Sequence, residues 1–367
     1  MTGIATPPTG AAERVRVPYE ELLDFAAAAF ADRGVPAGRA RVAAQALCHG
    51  DLHGFSSHGL TNLSRLYLPL FDDKRVEPDA QPEVLADRGA AVLLDGHRAL
   101  GLWLAREAMD LAVERAARYG VGLVSVRGAT HFGCAGHHAL QAVRHGMVGV
   151  VASNCGRQRI IRPPGAVPAM LGTNPFSVAA PAGRHHPYVL DMSTTVVPTG
   201  KIRQAARAGR DIPEGWLATA DGTPVTDPNA LDAGTAYLQW LGGRPETGAF
   251  KGYGLALMVE VLAALLPGAG LGPAPEAYAG TGSPSGRDDD IGFLVMALSP
   301  ATGEGEFGRA ADSMFGALLG APAIDPGSPV RYPGWPEAEH ARRALADGVP
   351  LAAALHAELV GLGLGAR

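Results

Sequence analysis

Residues 53–59 read His-Gly-Phe-Ser-Ser-His-Gly, two histidines around a serine pair with a glycine beside each. An imidazole titrates near neutrality, so a histidine in such a loop can give or take a proton. His58 follows Ser57 directly, and Gly59 lets the backbone turn sharply behind it. A plainer arrangement fits as well, a loop histidine with Ser57 as a helix N-cap. His131, His137, His138 and His145 form a second cluster around residues 130–136, Thr-His-Phe-Gly-Cys-Ala-Gly. Small residues there let a ligand approach the backbone, and a following helix would offer its first N–H groups to an anion. An ordinary strand–loop–helix turn would read the same way. His137 and His138 are adjacent and diverge on a helix, and neither His-Glu-x-x-His nor Cys-x-x-Cys occurs, so no metal site is predicted. Residues 171–175 (Leu-Gly-Thr-Asn-Pro) and 190–195 (Leu-Asp-Met-Ser-Thr-Thr) set polar groups beside apolar runs. Lys251 opens a helical segment where the helix dipole is already positive, which suggests an anionic partner; a solvated lysine is the alternative.

The elements that position these groups follow from periodicity. Residues 18–33 and 39–52 have apolar repeats near 3.6 and read as helices, each ended by glycine. Residues 59–71 can form a third. The 53–59 stretch thus lies in a break within a helical unit, with residues 1–16 as a loose leader. Further on, apolar runs at 91–95, 121–126, 148–153, 177–180 and 188–191 read as strands, alternating with helices at 102–119 and 134–145. Residues 208–250 read as loop, 251–266 as helix, 291–298 as a buried strand, and 337–364 as mostly helical. The fold class is α/β.

Bulk properties exclude several functions. The 367 residues are 47% hydrophobic and 18% charged, which suits a sizeable core. A net charge of −5 with scattered arginines gives no footprint for nucleic acid. The longest apolar stretch contains Glu260 and is too short for a bilayer, so no membrane partner is expected. Three widely spaced cysteines, Cys48, Cys134 and Cys155, imply no disulfide framework and favour a reducing cytoplasm. No Gly-x-Gly-x-x-Gly follows a strand and opens a helix, and there is no Walker or nucleophile-elbow sequence.

Taken in order, the pieces resemble the malate/L-lactate dehydrogenase family that lacks a Rossmann fold, which includes ureidoglycolate, sulfolactate and diketogulonate dehydrogenases or reductases and the piperideine-2-carboxylate reductases. The matching stretches are Ser-His-Gly at 57–59, residues 130–136, 171–175, 189–194 (Val-Leu-Asp-Met-Ser-Thr), Gly-Lys-Ile at 200–202 and 250–257 (Phe-Lys-Gly-Tyr-Gly-Leu-Ala-Leu). Val-Arg-Tyr-Pro-Gly at 330–334 and Gly-Val-Pro-Leu at 348–351 also fit. No single piece is specific; their order over residues 18–360 is. The resemblance implies a non-Rossmann, mixed-sheet NAD(P)-binding domain over 86–299 and a helical domain built from 17–85 and 300–367. It implies a homodimer, and an NAD- or NADP-dependent hydride transfer to or from a small 2-oxo or 2-hydroxy acid.

Position by position, His58 resembles the family's proton donor, Ser57 its relay partner, and His131 a histidine assigned to acid–base work or to the cofactor loop. Phe132, Gly133, Cys134, Ala135, Cys155, Asp191, Met192, Ser193, Lys251, Pro333 and Gly334 fall at positions similar to cofactor contacts. Thr173, Thr199, Gly200 and Lys201 fall at positions similar to substrate contacts. Two departures stand out. The family's usual arginine, four residues after the Ser-His-Gly histidine, is Asn62 here, and Arg65 lies one helical turn beyond it as a substitute. Cyclic-imine reductases carry Asp where this chain has Lys201, which favours the hydroxy-acid branch over imine reduction. Asn62 also leaves open a nucleotide-binding relative with altered or lost catalysis.

Overall fold

The computed structural model describes residues 14–302 and 305–366. The leader expected over 1–16 lies outside the described residues up to residue 13. Its last residues are extended: Arg14–Val17 (β1) pairs antiparallel with Val349–Ala352 (β12), tying the two ends of the described chain together. Tyr19–Ala31 (α1) and Ala37–Leu52 (α2) follow as the apolar periodicity predicts. The third helix differs. Leu63–Tyr67 forms a wider turn, in which the Leu68 N–H reaches back five residues to Leu63, before Leu68–Asp72 (α3). Such expanded turns are costly and often occur at functional sites.

Next come Glu83–Asp87 (β2), Ala91–Ala99 (β3), Gly101–Tyr119 (α4), Val121–Ala129 (β4), Ala135–Val143 (α5), Val148–Ser153 (β5), Phe176–Ala180 (β6) and Tyr188–Met192 (β7). Thr199–Arg207 (α6) packs near the Ser56–His58 turn. The stretch expected to be loop holds a small sheet of Leu217–Ala218 (β8), Pro224–Val225 (β9) and Tyr237–Leu238 (β10), with Asn229–Asp232 (α7). Ala249–Glu260 (α8) runs into a second expanded turn at Val261–Leu265. Ile291–Leu298 (β11), Glu306–Leu319 (α9), Trp335–Asp347 (α10) and Ala353–Gly361 (α11) complete the chain, with β12 between the last two helices. Neither β2 nor α9 is evident from the sequence pattern. The two strands of β2's pairing are mostly exposed on β2's side, and an exposed strand carries no apolar alternation to read.

The main sheet has seven strands in the order β2-β3-β4-β11-β5-β6-β7. Only β3 and β4 are parallel; every other pairing is antiparallel. The sheet is therefore mixed, as expected. Helices α4 and α5 contact each other and the sheet, with α2 packed on α4, so the N-terminal helices form an outer layer. The turn after α8 packs on β4, β5 and β11.

A glycine stands second in each of β4, β5 and β11, as Gly122, Gly149 and Gly292. Each meets a helix carbonyl. A Cβ would lie 1.9 Å from Ala112 O, 2.2 Å from Ala139 O and 1.9 Å from Ala263 O respectively. The missing side chains are what let the helices lie this close to the sheet. Gly122→Ala is expected to destabilise the protein by about 1–3 kcal/mol, the range for overpacked cores. Denaturant unfolding checks this; an unchanged midpoint would show that the α4–β4 spacing relaxes freely.

Candidate active site

One edge of the sheet collects the polar loops. Because β11 lies antiparallel to both β4 and β5, those two strands run the same way and end at the same edge. β6 starts there and β7 returns to it. The loops after β4, β5 and β7, the one before β6 and the one before β11 therefore converge. The Ser56–His58 turn, between α2 and the expanded turn, covers them.

Between them lies a cavity of about 460 Å³. Its lining includes Ser57, His58, His131, Phe132, Gly133, Cys134, Ala135, Cys155, Thr173, Asp191, Met192, Ser193 and Lys201 from the sequence-predicted set. Pro333 and Gly334 line a second cavity of about 240 Å³ with His49, His53, Gly136 and Glu337. Phe55 and Asp191 belong to both walls, so the two cavities adjoin. Five predicted residues lie outside both linings. Asn62 donates from Nδ2 to Ser57 O at 3.0 Å, bracing the turn from behind. Arg65 Nη2 lies 3.9 Å from Glu358 Oε2 and is about half exposed. Thr199 and Gly200 open α6, and a Cβ at Gly200 would stand 3.0 Å from Ser57 Cβ. Lys251 is exposed in the first turn of α8.

The two histidines of the first cavity face one another, with ring centroids 6.1 Å apart and planes 23° from parallel. His58 Nδ1 shares a hydrogen bond with Ser57 Oγ at 2.9 Å. Burial, with His131 adding to it, lowers the His58 pKa to about 4. His131 is lowered too, by burial, with Asp288 acting in the opposite direction. His131 Nδ1 accepts the Gly133 N–H at 3.2 Å and lies 2.8 Å from the Tyr67 hydroxyl. A backbone N–H can only donate, so the neutral His131 ring carries its proton on Nε2. Tyr67 reaches this position from the expanded turn, fully buried.

Asp191 accepts the Gly136 N–H at 2.7 Å at the start of α5, and burial raises its pKa to about 6. Cys155 Sγ lies 3.8 Å from Thr173 Oγ1, and burial raises its thiol pKa. Asn174, the next residue, has φ 40° and donates to Glu260 Oε1 at 3.0 Å and to Ala256 O. Asn154 also donates to Glu260, at 3.4 Å. This buried Asn–Glu–Asn network, running to α8, holds the loops after β5 and before β6.

Residues 17–360 match the malate/L-lactate dehydrogenase family. The chain belongs to that family. It is 37% identical to malate dehydrogenase of Pyrococcus abyssi over 255 residues, 69% of each chain. It is 31% identical to L-sulfolactate dehydrogenase of Methanothermobacter thermautotrophicus over 350 residues, 95% of this chain and 96% of that one. The crystal structure of malate dehydrogenase from Entamoeba histolytica superposes with a TM-score of 0.86 at 26% identity, covering 95% of this chain and 97% of the other. The protein is an NAD(P)-dependent oxidoreductase.

The residues present fit a nicotinamide dinucleotide. The adjoining cavities lie at either end of the Gly133–Gly136 backbone, Gly133 lining the first and Gly136 the second. Gly133 has φ +83°, a conformation that side chains resist, and a Cβ at Gly136 would crowd Asp191 and Val189. Several lining residues lie outside the stretches singled out in the sequence, among them Asn154, Gln158, Leu241 and Asp288, while Phe55 and Thr195 lie within 53–59 and 190–195. Asp288 is the first of three consecutive aspartates, and Arg75, distant in sequence, holds its carboxylate at 2.6 Å.

His49, His53, His137 and His138 are packed against one another rather than converging on a point. His49 stacks on His53 with centroids 3.8 Å apart and meets His137 edge-on at 4.9 Å. Among the described residues no three His, Cys, Asp or Glu side chains form a metal-binding group. Burial lowers His53 and His138 to about 4, and His49 and His137 well below the usual value. The unfolded chain binds protons here that the folded chain refuses. The stability these groups confer is present above the unfolded pKa near 6.5 and is lost as pH falls towards their folded values. Asp191 acts oppositely, since its folded pKa is raised: its contribution is full below about pH 4 and lost as pH rises through 6. Asp51, raised to about 7 by burial, acts in the same direction as Asp191, and the four histidines outweigh the two carboxylates. The melting temperature is expected to fall between about pH 7 and 5, and His49→Gln should flatten that slope. Parallel slopes for both proteins would reject the assignment.

Proposed function

We propose that this enzyme interconverts a 2-hydroxy acid and the corresponding 2-oxo acid, with His58 as the proton-transfer residue. The observation that carries this reading is the partly buried, neutral His58–His131 pair in a cavity whose one lining Lys or Arg, among the described residues, is Lys201. Bound in the adjoining cavities, NAD or NADP would supply or accept the hydride. The protein supplies the rest. Neutral His58, its Nδ1 engaged by Ser57, accepts the proton of a substrate hydroxyl and returns it to the carbonyl oxygen in the reverse direction. An arriving carboxylate raises the imidazole pKa by placing a negative charge beside it, which readies His58 for the donor role. His131, fixed by Gly133 and Tyr67 with its proton on Nε2, offers a hydrogen-bond donor.

Lys201 at the cavity is the proposed partner of the substrate carboxylate, since Asn62 is committed to Ser57 O and Arg65 lies towards Glu358. The names of the relatives, malate and sulfolactate dehydrogenases, support a small acid carrying a second anionic group. Thr173, Cys155, Met192 and Ser193 line the same space and complete the proposed substrate and nicotinamide contacts. Pro333 and Gly334 lie where the far end of the dinucleotide would reach.

We infer a homodimer as well. Phe250, Leu257, Val261 and Leu265 leave an exposed apolar stripe along α8 and its extension, which a second copy would cover. All three cysteines are free, which supports a cytoplasmic setting.

A panel of 2-oxo acids and cyclic imines, followed at the nicotinamide absorbance with NADH and NADPH, tests the activity. Turnover of cyclic imines alone would overturn the substrate class. His58→Asn is expected to leave cofactor binding near normal and to lower kcat by about tenfold or more; unchanged turnover would transfer the role to His131. Lys201→Ala is expected to raise KM for the acid more than it lowers kcat.

A further inference from the structure

The turn that carries Ser57 and His58 rests on a buried carboxylate. Asp51 lies in the last turn of α2 and is 6% exposed. Its Oδ2 accepts the Leu60 N–H at 2.6 Å. A Cβ at Gly59 would stand 2.1 Å from Asp51 Oδ2, 2.4 Å from Cγ and 2.7 Å from Oδ1. These are its three nearest neighbours, so what forbids a side chain at Gly59 is Asp51 itself. Backbone conformation does not require glycine there: φ −98° and ψ −150° are extended and open to any residue. From the α2 side, Gly50 lies against the same backbone, with a Cβ there 2.7 Å from both His58 C and Gly59 N. Asp51 and Gly50 together clamp residues 58–60.

Among the described residues the carboxylate has no cation beside it. What opposes its burial is backbone hydrogen bonding alone, from Leu60 and from its own residue. Among the described residues its titratable neighbours include the thiols of Cys48 and Cys134, which burial pushes up and its charge, with that of Asp191 at Cys134, pushes up further. A buried, unpaired carboxylate is expensive, and folded proteins retain one where its acceptor capacity is used.

We propose that Asp51 is the positioning residue of the proton-transfer turn: its carboxylate holds the Gly59–Leu60 backbone and thereby sets where Ser57 and His58 stand in the cavity. This rests on the reading of His58 given above. Ionised, Asp51 is a pure acceptor and its bond to Leu60 is charge-assisted; protonated, it holds the turn less firmly. Burial raises its pKa to about 7, so that change falls within the ordinary assay range.

The test uses Asp51→Asn, Asp51→Ala, Gly59→Ala and the Asp51→Ala/Gly59→Ala double variant of the full chain. The readouts are kcat, KM, binding of the reduced cofactor by fluorescence, and the imidazole NMR signals of His58, assigned with His58→Asn. Asp51→Ala is expected to move the His58 signals and to lower kcat roughly ten- to a hundredfold, the scale of a displaced catalytic group, with cofactor affinity kept within about twofold. Asp51→Asn retains an acceptor and the shape; its kcat at about pH 8 should stay within about threefold of the parent, and the parent's fall in kcat/KM below about pH 7, which reports the free enzyme, should disappear. Gly59→Ala should be damaging alone and relieved in the double variant, because the clashing atoms are gone. Unmoved His58 signals in Asp51→Ala, additive effects in the double variant, or a persistent pH limb in Asp51→Asn would each overturn the proposal. Should Asp51→Ala not fold, Asp51→Asn decides through its pH limb and His58 signals. If no substrate turns over in the parent, the reading of His58 fails on its own, and the NMR comparison still decides whether Asp51 sets the turn.

Discussion

Backbone hydrogen bonds along β11 are the constraint on which the rest of this site depends. Ile291–Leu298 pairs with β4 on one side and β5 on the other, antiparallel to both. That insertion, from a segment far along the chain, makes β4 and β5 run in the same direction. Their following loops, the start of β6 and the end of β7 are then brought to one edge. Without β11 the stretches at 130–136, 153–155, 171–175 and 190–195 would have no common place to meet. The close glycine contacts of Gly122, Gly149 and Gly292 set how near the helices lie to that same sheet. A helix displaced by a side-chain width would carry the start of α5, and with it the Gly136–Asp191 bond, out of position.

Much of this was legible in the sequence, for a physical reason. Central strands and the helices that cover them bury regular apolar patterns, so β5 and β11 have the expected boundaries and α4 and α5 fall within one or two residues of theirs. The polar stretches beside them read as site candidates because polar groups next to buried strands need a use. What was not legible depends on distance in sequence. Tyr67 meets His131 only through an expanded turn that periodicity does not encode. Asp288 enters the cavity because Arg75 holds it, and Arg75 lies at the other end of a long excursion of the chain. Asp51 sits in a segment that reads as an ordinary amphipathic helix, and its meaning appears only where Leu60 and Gly59 fold back on it. The small sheet at 217–238 is made of two-residue strands, too short for any period.

Electrostatics explains why so many titratable groups can share so small a volume. The interior favours neutrality at His49, His53, His58, His131, His137 and His138, since a charge there would lose more hydration than its neighbours return. Neutral imidazoles can stack at van der Waals distance, as His49 and His53 do; imidazolium rings would repel. Carboxylates in the same region are treated differently. Asp51 and Asp191 each accept a backbone N–H, and Asp288 has an arginine. Each has a stabilising contact aimed at the anion; the imidazoles have weaker ones, a backbone carbonyl at His53 and His138 and Asp288 near His131, and burial outweighs them.

That asymmetry bears on how a nicotinamide enzyme of this family works without a glycine fingerprint. In the Rossmann arrangement a glycine-rich turn and a helix N-terminus face the pyrophosphate, and a nearby carboxylate reads the ribose. Here the start of α5 is already occupied: Gly136 gives its N–H to Asp191. The helix dipole therefore serves to hold a protein carboxylate at the junction of the two cavities, beside the Gly133 turn. A fixed carboxylate at that junction cannot favour a phosphate next to it, but it can accept hydrogen bonds from ribose hydroxyls. The glycines of residues 130–136 leave the backbone as open as the fingerprint does, while the charge beside them, that of Asp191, has the opposite sign. Sequence motifs for nucleotide binding record where glycines are; the sign of the field beside them is set by residues such as Asp191, more than fifty positions further along the chain.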